Sequence, residues 1–381
     1  MSTTTTTGTR WTDAFLDEQR RIGDPEADEA IEALQAAGQT GAALRILRTL
    51  VLNDQPPPDE LPASVRHYIG ETRALPPWAD RELILRGEHL FQRWGMQIGL
   101  LLFHKAMAEG YLAERFARVL HFTSALASDP RRRLLETGQL IFDAMAPGGL
   151  GIGGKGIATA MRVRLLHAAI RRTIKDRSAE EPSLWPPEYG EPISQEDMAF
   201  TLMGFSVVML DGLGQMGARV SRADSEAYIH CWRVVGYFIG LDDTMNPATF
   251  DEARELLIVM RRRQYAVSVP GVALEAAMLG MLEGMSPGPM RHFPRQMIRY
   301  LIGSEYAAQL AVPPAPRLAR AGFGCYIRVN RALLTFVSVT HIANLAEPFN
   351  RAILRAMIGS SRGGDRQPFS VPSDLKRKWR L

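Results

Sequence analysis

The segment RVRLLHAAIRR at residues 162–172 combines one histidine with four arginines. An imidazole can bind a metal ion or transfer a proton, and guanidinium groups bind anions. In a helix, His167 shares one apolar stripe with Val163, Leu166, Ile170 and Ile174. We therefore expect the histidine to point into the protein.

Two of these arginines are helical neighbours of His167. Arg164 lies three residues before it and Arg171 four residues after it, and side chains at those spacings share one surface of a helix. We expect the pair to frame whatever His167 faces and to favour a buried anion there. The alternative is a core histidine that is hydrogen-bonded to a backbone carbonyl, and this segment alone leaves both open.

A second polar pair occurs in RRRLLET at residues 131–137. Arg133 and Thr137 are four residues apart, so a helix places both on one face. Burying an arginine costs several kcal/mol unless an anion compensates it. Arg133 is therefore expected to meet either a protein carboxylate or a bound anionic group.

Other candidate motifs favour structural interpretations. Residues 149–155 match G-x-x-x-x-G-K, but Gly156 replaces the Ser/Thr that binds Mg²⁺, and a helical pattern precedes the loop where a P-loop needs a strand. The segment LDDTMN could hold Mg²⁺ on a diphosphate through Asp242 and Asp243. It also reads as a helix end before Pro247. Zinc-protease and serine-hydrolase motifs do not occur.

The composition is that of a globular protein and excludes several classes. The 381 residues include 45 Lys+Arg and 41 Asp+Glu, with no basic stripe, so we expect no nucleic-acid partner. Cys231 and Cys325 are too few for a disulfide framework or a cysteine zinc site. The longest uncharged runs are too short to span a membrane, and no signal-peptide core precedes them. We expect a cytoplasmic protein, or a secreted one if an export signal has been removed.

Helical periodicity predicts an all-α fold with four parts. Residues 1–10 form a Thr-rich tail, 11–70 N-terminal helices that pack on the core, 71–357 the core itself, and 358–381 a basic tail. Helix patterns cover 196–219, 222–240, 247–264, 270–284, 290–310 and 327–357. Ser128 or Asp129 with Pro130 signals one helix start, and Ser194 with Asp197 signals another.

Three motifs in order resemble one family. DPRRRLLETGQLIFDAMAPGGLG, RVRLLHAAIRR and YIHCWRVVGYFIGLDD are similar to segments of the latex-clearing proteins, or bacterial rubber oxygenases, and of the MpaB oxygenases. The resemblance covers about residues 75–355. It implies a single large globin-like multi-helix domain that encloses a b-type haem and uses O₂ to cleave C=C bonds of isoprenoid chains to an aldehyde and a ketone.

The resemblance also implies roles for individual residues. His167 matches the proximal iron ligand, and Arg133 and Thr137 match polar residues that the family needs near the haem. The helix geometry adds Arg164 and Arg171 as partners of the haem propionates. His230 matches a histidine of the HxWRxxGY stretch, and we take its role as structural or as support for the cofactor-binding residues.

Two positions depart from the family pattern. Glu136 stands where the rubber oxygenases carry a lysine, and Ala117 stands where they carry a glutamate that acts as a base at the allylic carbon. Glu114, one helical turn away, is the nearest acid, and Glu136 is the other candidate base.

The sequence thus predicts a haem b-dependent oxygenase that acts on a small hydrophobic or isoprenoid alkene, as a monomer or homodimer. Two alternatives stay open. One is a non-catalytic haem-binding or haem-sensing protein, and the other is a helical isoprenoid-binding protein that uses Mg²⁺ at Asp242 and Asp243.

Overall fold

The fold is built from α-helices. The computed structural model describes residues 10–38, 50–71, 73–125 and 130–340, with backbone alone at 64, 71, 124–125 and 130–137. The helices are α1 (Asp13–Gln19), α2 (Pro25–Ala36), α3 (Ala63–Glu71), α4 (Arg81–Leu101), α5 (Met107–Leu112), α6 (Glu114–Ala125), α7 (Pro130–Met145), α8 (Gly156–Glu180), α9 (Gln195–Phe205), α10 (Val207–Met216), α11 (Arg222–Phe238), α12 (Phe250–Gln264), α13 (Val269–Met285), α14 (Phe293–Ile302), α15 (Ser304–Gln309) and α16 (Arg317–Val339).

Extended structure in these ranges is limited to one antiparallel bridge between Ala113 and Tyr265. The predicted all-α class is therefore confirmed for the described part of the chain. The predicted boundaries between tail, N-terminal helices and core stay predictions.

Helices α4 and α11 pack closely because a glycine lies between them. A Cβ atom added at Gly87 would lie 2.5 Å from the Cys231 sulfur and 2.7 Å from the carbonyl oxygen of Ala227. The start of α4 is also tied to α11, since the backbone N–H of Asp80 donates to Nε2 of His230 at 2.9 Å. These contacts fix the two long helices behind the cavity described below.

Between α4 and α5 the chain forms a π-helical turn, Leu102–Ala106. Such turns insert one residue into a helix and often occur at functional sites. This one places the buried Lys105 beside Glu109 of α5. At Ala113 the backbone becomes extended, with φ −88° and ψ 111°, and α6 leaves in a new direction.

Local signals predicted several helix ends correctly. Helix α7 begins at Pro130, and Ser194 caps α9 in a reciprocal capping box with Asp197. Two long predicted helices are each divided instead. The 196–219 pattern breaks at Ser206, with φ −106° and ψ −93°, and the 290–310 pattern breaks at Gly303, with φ +89°. At Gly303 only a residue without a side chain adopts this φ freely.

The stretch Gln195–Met216 is long and apolar enough to span a bilayer, but 78% of its apolar window is buried inside the fold. It comprises the two helices α9 and α10, which meet at Ser206. Burial of this kind is typical of core helices.

Candidate functional site

Helix α8 carries His167, and its N-terminus is fixed by a distant asparagine. Asn53 accepts a hydrogen bond from the backbone N–H of Ala158 at 3.1 Å. Its side-chain amide donates to the carbonyl oxygens of Gly149 and Gly151 at 2.9 and 2.7 Å. Asn53 thus satisfies groups at the helix start and in the glycine-rich loop together. The predicted structural role of that loop is consistent with its place directly after helix α7.

His167 lies on the wall of a cavity with Val163, Leu166 and Ile170 of the same helix. The predicted inward-facing stripe is therefore present, although Ile174 is buried outside the cavity lining. The cavity has about 1500 Å³ of empty space, part of it open to solvent.

The rest of the wall is mostly apolar. It is lined from α6, α7, α9, α10 and α11 by side chains that include Phe116, Leu140, Phe200, Phe205, Val208 and Trp232. Such a wall favours a hydrophobic ligand and keeps water away from it.

One end of the lining contains a buried ion-pair network. Arg115 on the cavity wall donates to Asp197 and to Glu196, each at 3.0 Å. Glu196 is fully buried and also accepts from Arg20 at 2.7 Å and from Arg263 at 2.9 Å. The pKa of Arg115 is raised: burial acts to lower it, but Asp197 and Glu196 outweigh that effect. Arg115 is the cation among the described lining residues.

A second network surrounds Glu109, which also lines the cavity. Its carboxylate lies 3.0 Å from Lys105 and 2.8 Å from Arg261, and it accepts from the Tyr265 hydroxyl at 2.8 Å. Burial acts to raise the pKa of Glu109, yet Lys105 and Arg261 hold it below its ordinary value. Glu109 is therefore an ionised structural acid with little tendency to take up a proton.

Arg164 and Arg171 do not lie on the cavity wall, contrary to their predicted role. Arg164 binds Asp24 at 2.5 Å and Glu26 at 2.9 Å. Arg171, which is 1% exposed, pairs with Asp28 and donates to the carbonyl of Pro192. The anions that these arginines meet are carboxylates of α2 and its N-terminal cap, so the arginines anchor α2 on α8.

Glu114 also lies outside the lining. Its carboxylate accepts two hydrogen bonds from Arg118, both at 3.2 Å. Because it is absent from the lining and is paired with Arg118, the structure gives no support to its predicted role as a base. Ala117, at the family's glutamate position, is fully buried but is not part of the lining either.

Arg133, Glu136 and Thr137 belong to helix α7, and their side chains lie outside the described part of the structure. Their backbone positions are seven, four and three residues before Leu140, a lining residue. Those spacings put the three positions on the helical face that Leu140 shares. Their predicted roles stay predictions.

His230 is a structural residue outside the cavity lining. Its Nε2 accepts from the backbone of Asp80, and its ring lies edge-on to Trp78 with centroids 5.9 Å apart. Burial lowers the pKa of His230, which favours the neutral imidazole that this acceptor role requires. These contacts agree with the structural alternative for His230, and its place among the cofactor-binding residues stays a prediction.

Asp242 and Asp243 form a surface turn. Asp242 accepts from the backbone N–H of Thr244 at 2.8 Å, and Asp243 pairs with Arg233 at 3.0 Å. Neither residue lines the cavity. The geometry therefore favours the helix-end interpretation of LDDTMN over a diphosphate site.

The lining fits a haem by the chemistry of its donors. His167 is the one histidine on the described wall, and a porphyrin itself supplies four nitrogen ligands to the iron, so one protein ligand is sufficient. In the described ranges no three His, Cys, Asp or Glu residues are grouped to hold an ion by themselves. An imidazole in an apolar cavity is the arrangement that non-covalent haem binding needs.

Sequence reasoning missed Glu109, Arg115 and Asn53. Glu109 and Arg115 stand next to apolar lining residues, Gly110 and Phe116. Apart from Lys105 beside Glu109, their partners Arg261 and Asp197 are more than eighty residues away in the chain. The signal available in the sequence was a charged residue within an apolar helix pattern, which indicates a buried charge that needs a partner.

Comparisons with known proteins agree on one family. Residues 90–335 match the family described as the catalytic domain of the ER-bound oxygenase mpaB/B′ and rubber oxygenase. The chain is 28% identical over 305 residues to a rubber oxygenase of Streptomyces sp. (strain K30), covering 78% of this chain and 73% of that protein. It is also similar to the closed-state structure of a latex clearing protein, with TM-score 0.72 and 25% identity over 95% of this chain and 90% of the other.

Proposed function

Because the chain belongs to the MpaB and rubber oxygenase family of oxygenases, we propose that it is a haem b-dependent oxygenase that cleaves C=C bonds of an isoprenoid or other hydrophobic alkene. The observation that carries this proposal is the place of His167 on the wall of a largely apolar cavity. O₂ and the alkene together give an aldehyde and a ketone, with one oxygen atom in each product.

His167 would hold the haem iron through an imidazole nitrogen. Arg115, the cation of the described wall, is already paired with Asp197 and Glu196, so we assign it to fixing the wall and not to a propionate. When bound, haem supplies the iron at which O₂ is activated. The side chains around it exclude water and hold the alkene beside it.

The apolar wall would bind the hydrocarbon chain. Phe116 and Phe200 lie edge to face, with ring centroids 6.5 Å apart, and both line the cavity. Rigid aromatic rings of this kind restrict an isoprenoid to a few orientations. The cavity wall therefore suits an apolar chain rather than a polar substrate.

A carboxylate would assist proton removal at the allylic carbon. The described acids on the wall, Glu109 and Asp197, are both held by cations, so neither is suited to this role. Glu136 on α7 is the candidate that remains, with Arg133 and Thr137 on the same helix as its polar partners.

Product analysis tests this function. The protein loaded with haemin and reduced is given squalene or a short cis-polyisoprene oligomer under ¹⁸O₂. We expect one labelled aldehyde and one labelled ketone for each bond cleaved, and their loss in Glu136→Gln while haem is retained. A protein that binds O₂ or CO reversibly and forms no product from either alkene would be a non-catalytic haem protein instead.

A further inference from the structure

Helix α16 (Arg317–Val339) has an exposed apolar face. Leu318, Val329, Leu333, Phe336 and Val339 are between 55% and 86% exposed. Their spacing of three, four, seven or eleven residues puts them on one stripe along the helix. A continuous apolar stripe on a protein surface marks a place where another apolar surface binds.

The opposite face attaches the helix to the protein. Ile327 and Leu334 are buried, and the Thr335 hydroxyl donates to the carbonyl of Gly217 at 2.8 Å. The Asn330 side chain donates to the carbonyl of Met216 at 3.3 Å. The stripe therefore belongs to a helix that is fixed in place.

The charges of α16 have one sign. Arg317, Arg320, Arg328 and Arg331 are exposed, and the helix contains no Asp or Glu. None of these arginines forms an ion pair with a side chain that the structure describes. Arg331 donates a long hydrogen bond to the Tyr300 hydroxyl at 3.5 Å. On a helical wheel the four arginines border one side of the stripe.

This charge distinguishes between possible occupants. A second copy of α16 would bring four more arginines against these four. Residues 341–381 contain eight Lys+Arg and three Asp+Glu. Their net charge is therefore also positive and would repel the arginines of α16. A complementary occupant is apolar inside and negatively charged at its surface, which describes an anionic lipid bilayer.

We propose that α16 lies in the surface of an anionic membrane, with the stripe among the acyl chains and the four arginines at the lipid phosphates. Lipid binding of this kind does not require turnover. A role for the membrane as the source of substrate rests on the proposed function, because isoprenoid alkenes dissolve in bilayers.

Flotation of the full chain with vesicles tests the proposal. The vesicles are phosphatidylcholine alone or phosphatidylcholine with phosphatidylglycerol. We expect binding to the anionic vesicles that weakens with salt, and on the order of tenfold or greater loss in the double variant Leu333→Gln/Phe336→Gln. The matched control Leu85→Gln/Ile258→Gln changes two exposed apolar residues outside α16 and should bind like the wild type.

Other outcomes would overturn the proposal. Equal binding to neutral vesicles would refute the role of charge, and unchanged binding in the α16 variant would assign it to another segment. A concentration-dependent dimer that the α16 variant abolishes would identify a second copy as the occupant. If circular dichroism shows that the Leu333→Gln/Phe336→Gln variant misfolds, the variant Arg328→Gln/Arg331→Gln is used in its place. We expect this variant to bind the anionic vesicles more weakly than the wild type does. The vesicles contain no alkene, so failure of the oxygenase proposal leaves this result unaffected.

Discussion

Ionisable side chains in this protein take their roles from their neighbours. Glu109 has three donors and a lowered pKa, whereas Glu275 on α13 is fully buried and neither of its oxygens has a hydrogen-bond partner in the structure. Burial raises the pKa of Glu275 to about 8. Glu275 is therefore a neutral acid in the folded protein near pH 7.

We predict that Glu275 makes stability depend on pH. Between its ordinary pKa of 4.5 and about 8 the folded state keeps a proton that the unfolded state has lost, so the free energy of unfolding falls as pH rises. Relative to that of Glu275→Gln, the free energy of unfolding of the wild type should fall by on the order of a few kcal/mol between about pH 5 and about pH 8. Urea unfolding at each pH measures this difference, and a constant difference would show that Glu275 titrates normally.

The sequence predicted residue roles only where the deciding contact was local. The inward direction of His167 followed from helical periodicity and is observed. The partners of Arg164 and Arg171 are Asp24 and Asp28, about 140 residues earlier in the chain. Nothing in the spacing of residues 162–172 distinguishes those carboxylates from haem propionates, so the spacing alone could not identify the anions that the two arginines meet in the structure.

Helix contacts show the same division between local and distant information. The capping box of Ser194 and Asp197 was readable from four residues. The division of the 196–219 pattern at Ser206 was not, because an apolar run gives no breaking signal there. The close approach of α4 and α11 at Gly87 depends on Cys231 and Ala227, and a single glycine in a helical pattern does not reveal such a neighbour.

We predict opposite effects for two glycines of α4. Gly87→Ala should destabilise the protein by about 2–4 kcal/mol, because its methyl group would overlap the backbone of α11. Gly99→Ala meets no atom within 4 Å and should stabilise by about 0.5–1 kcal/mol through helix propensity. Chemical denaturation of both variants measures the effects, and equal changes would refute the close packing of α4 on α11.

At the scale of the whole molecule, the N-terminal helices support the helix that carries His167. Three arginines of α8 bind acids of the N-terminal segment: Arg164 to Asp24 and Glu26, Arg171 to Asp28, and Arg172 to Glu32. The first two arginines are buried. Since the matched family domain begins at residue 90, this support lies outside it.

We predict that Asp24→Asn costs about 3–5 kcal/mol of unfolding free energy, since it leaves the buried Arg164 without its main counter-charge. The control Glu32→Gln removes an exposed pair, with side chains 40% and 60% exposed, and should cost less than about 1 kcal/mol. Urea denaturation compares the two variants. A neutral effect of Asp24→Asn would mean that α2 does not stabilise α8.

The measurement that tests the central claim most directly is the absorption spectrum of the protein loaded with haemin, beside His167→Ala. His121→Ala is the control, because His121 is exposed and lies outside the cavity lining. We predict a strong Soret band in the wild type and in His121→Ala, and a weakened or shifted band in His167→Ala. A wild type that takes up no haemin, or an unchanged spectrum in His167→Ala, would contradict the assignment of His167 as the iron ligand.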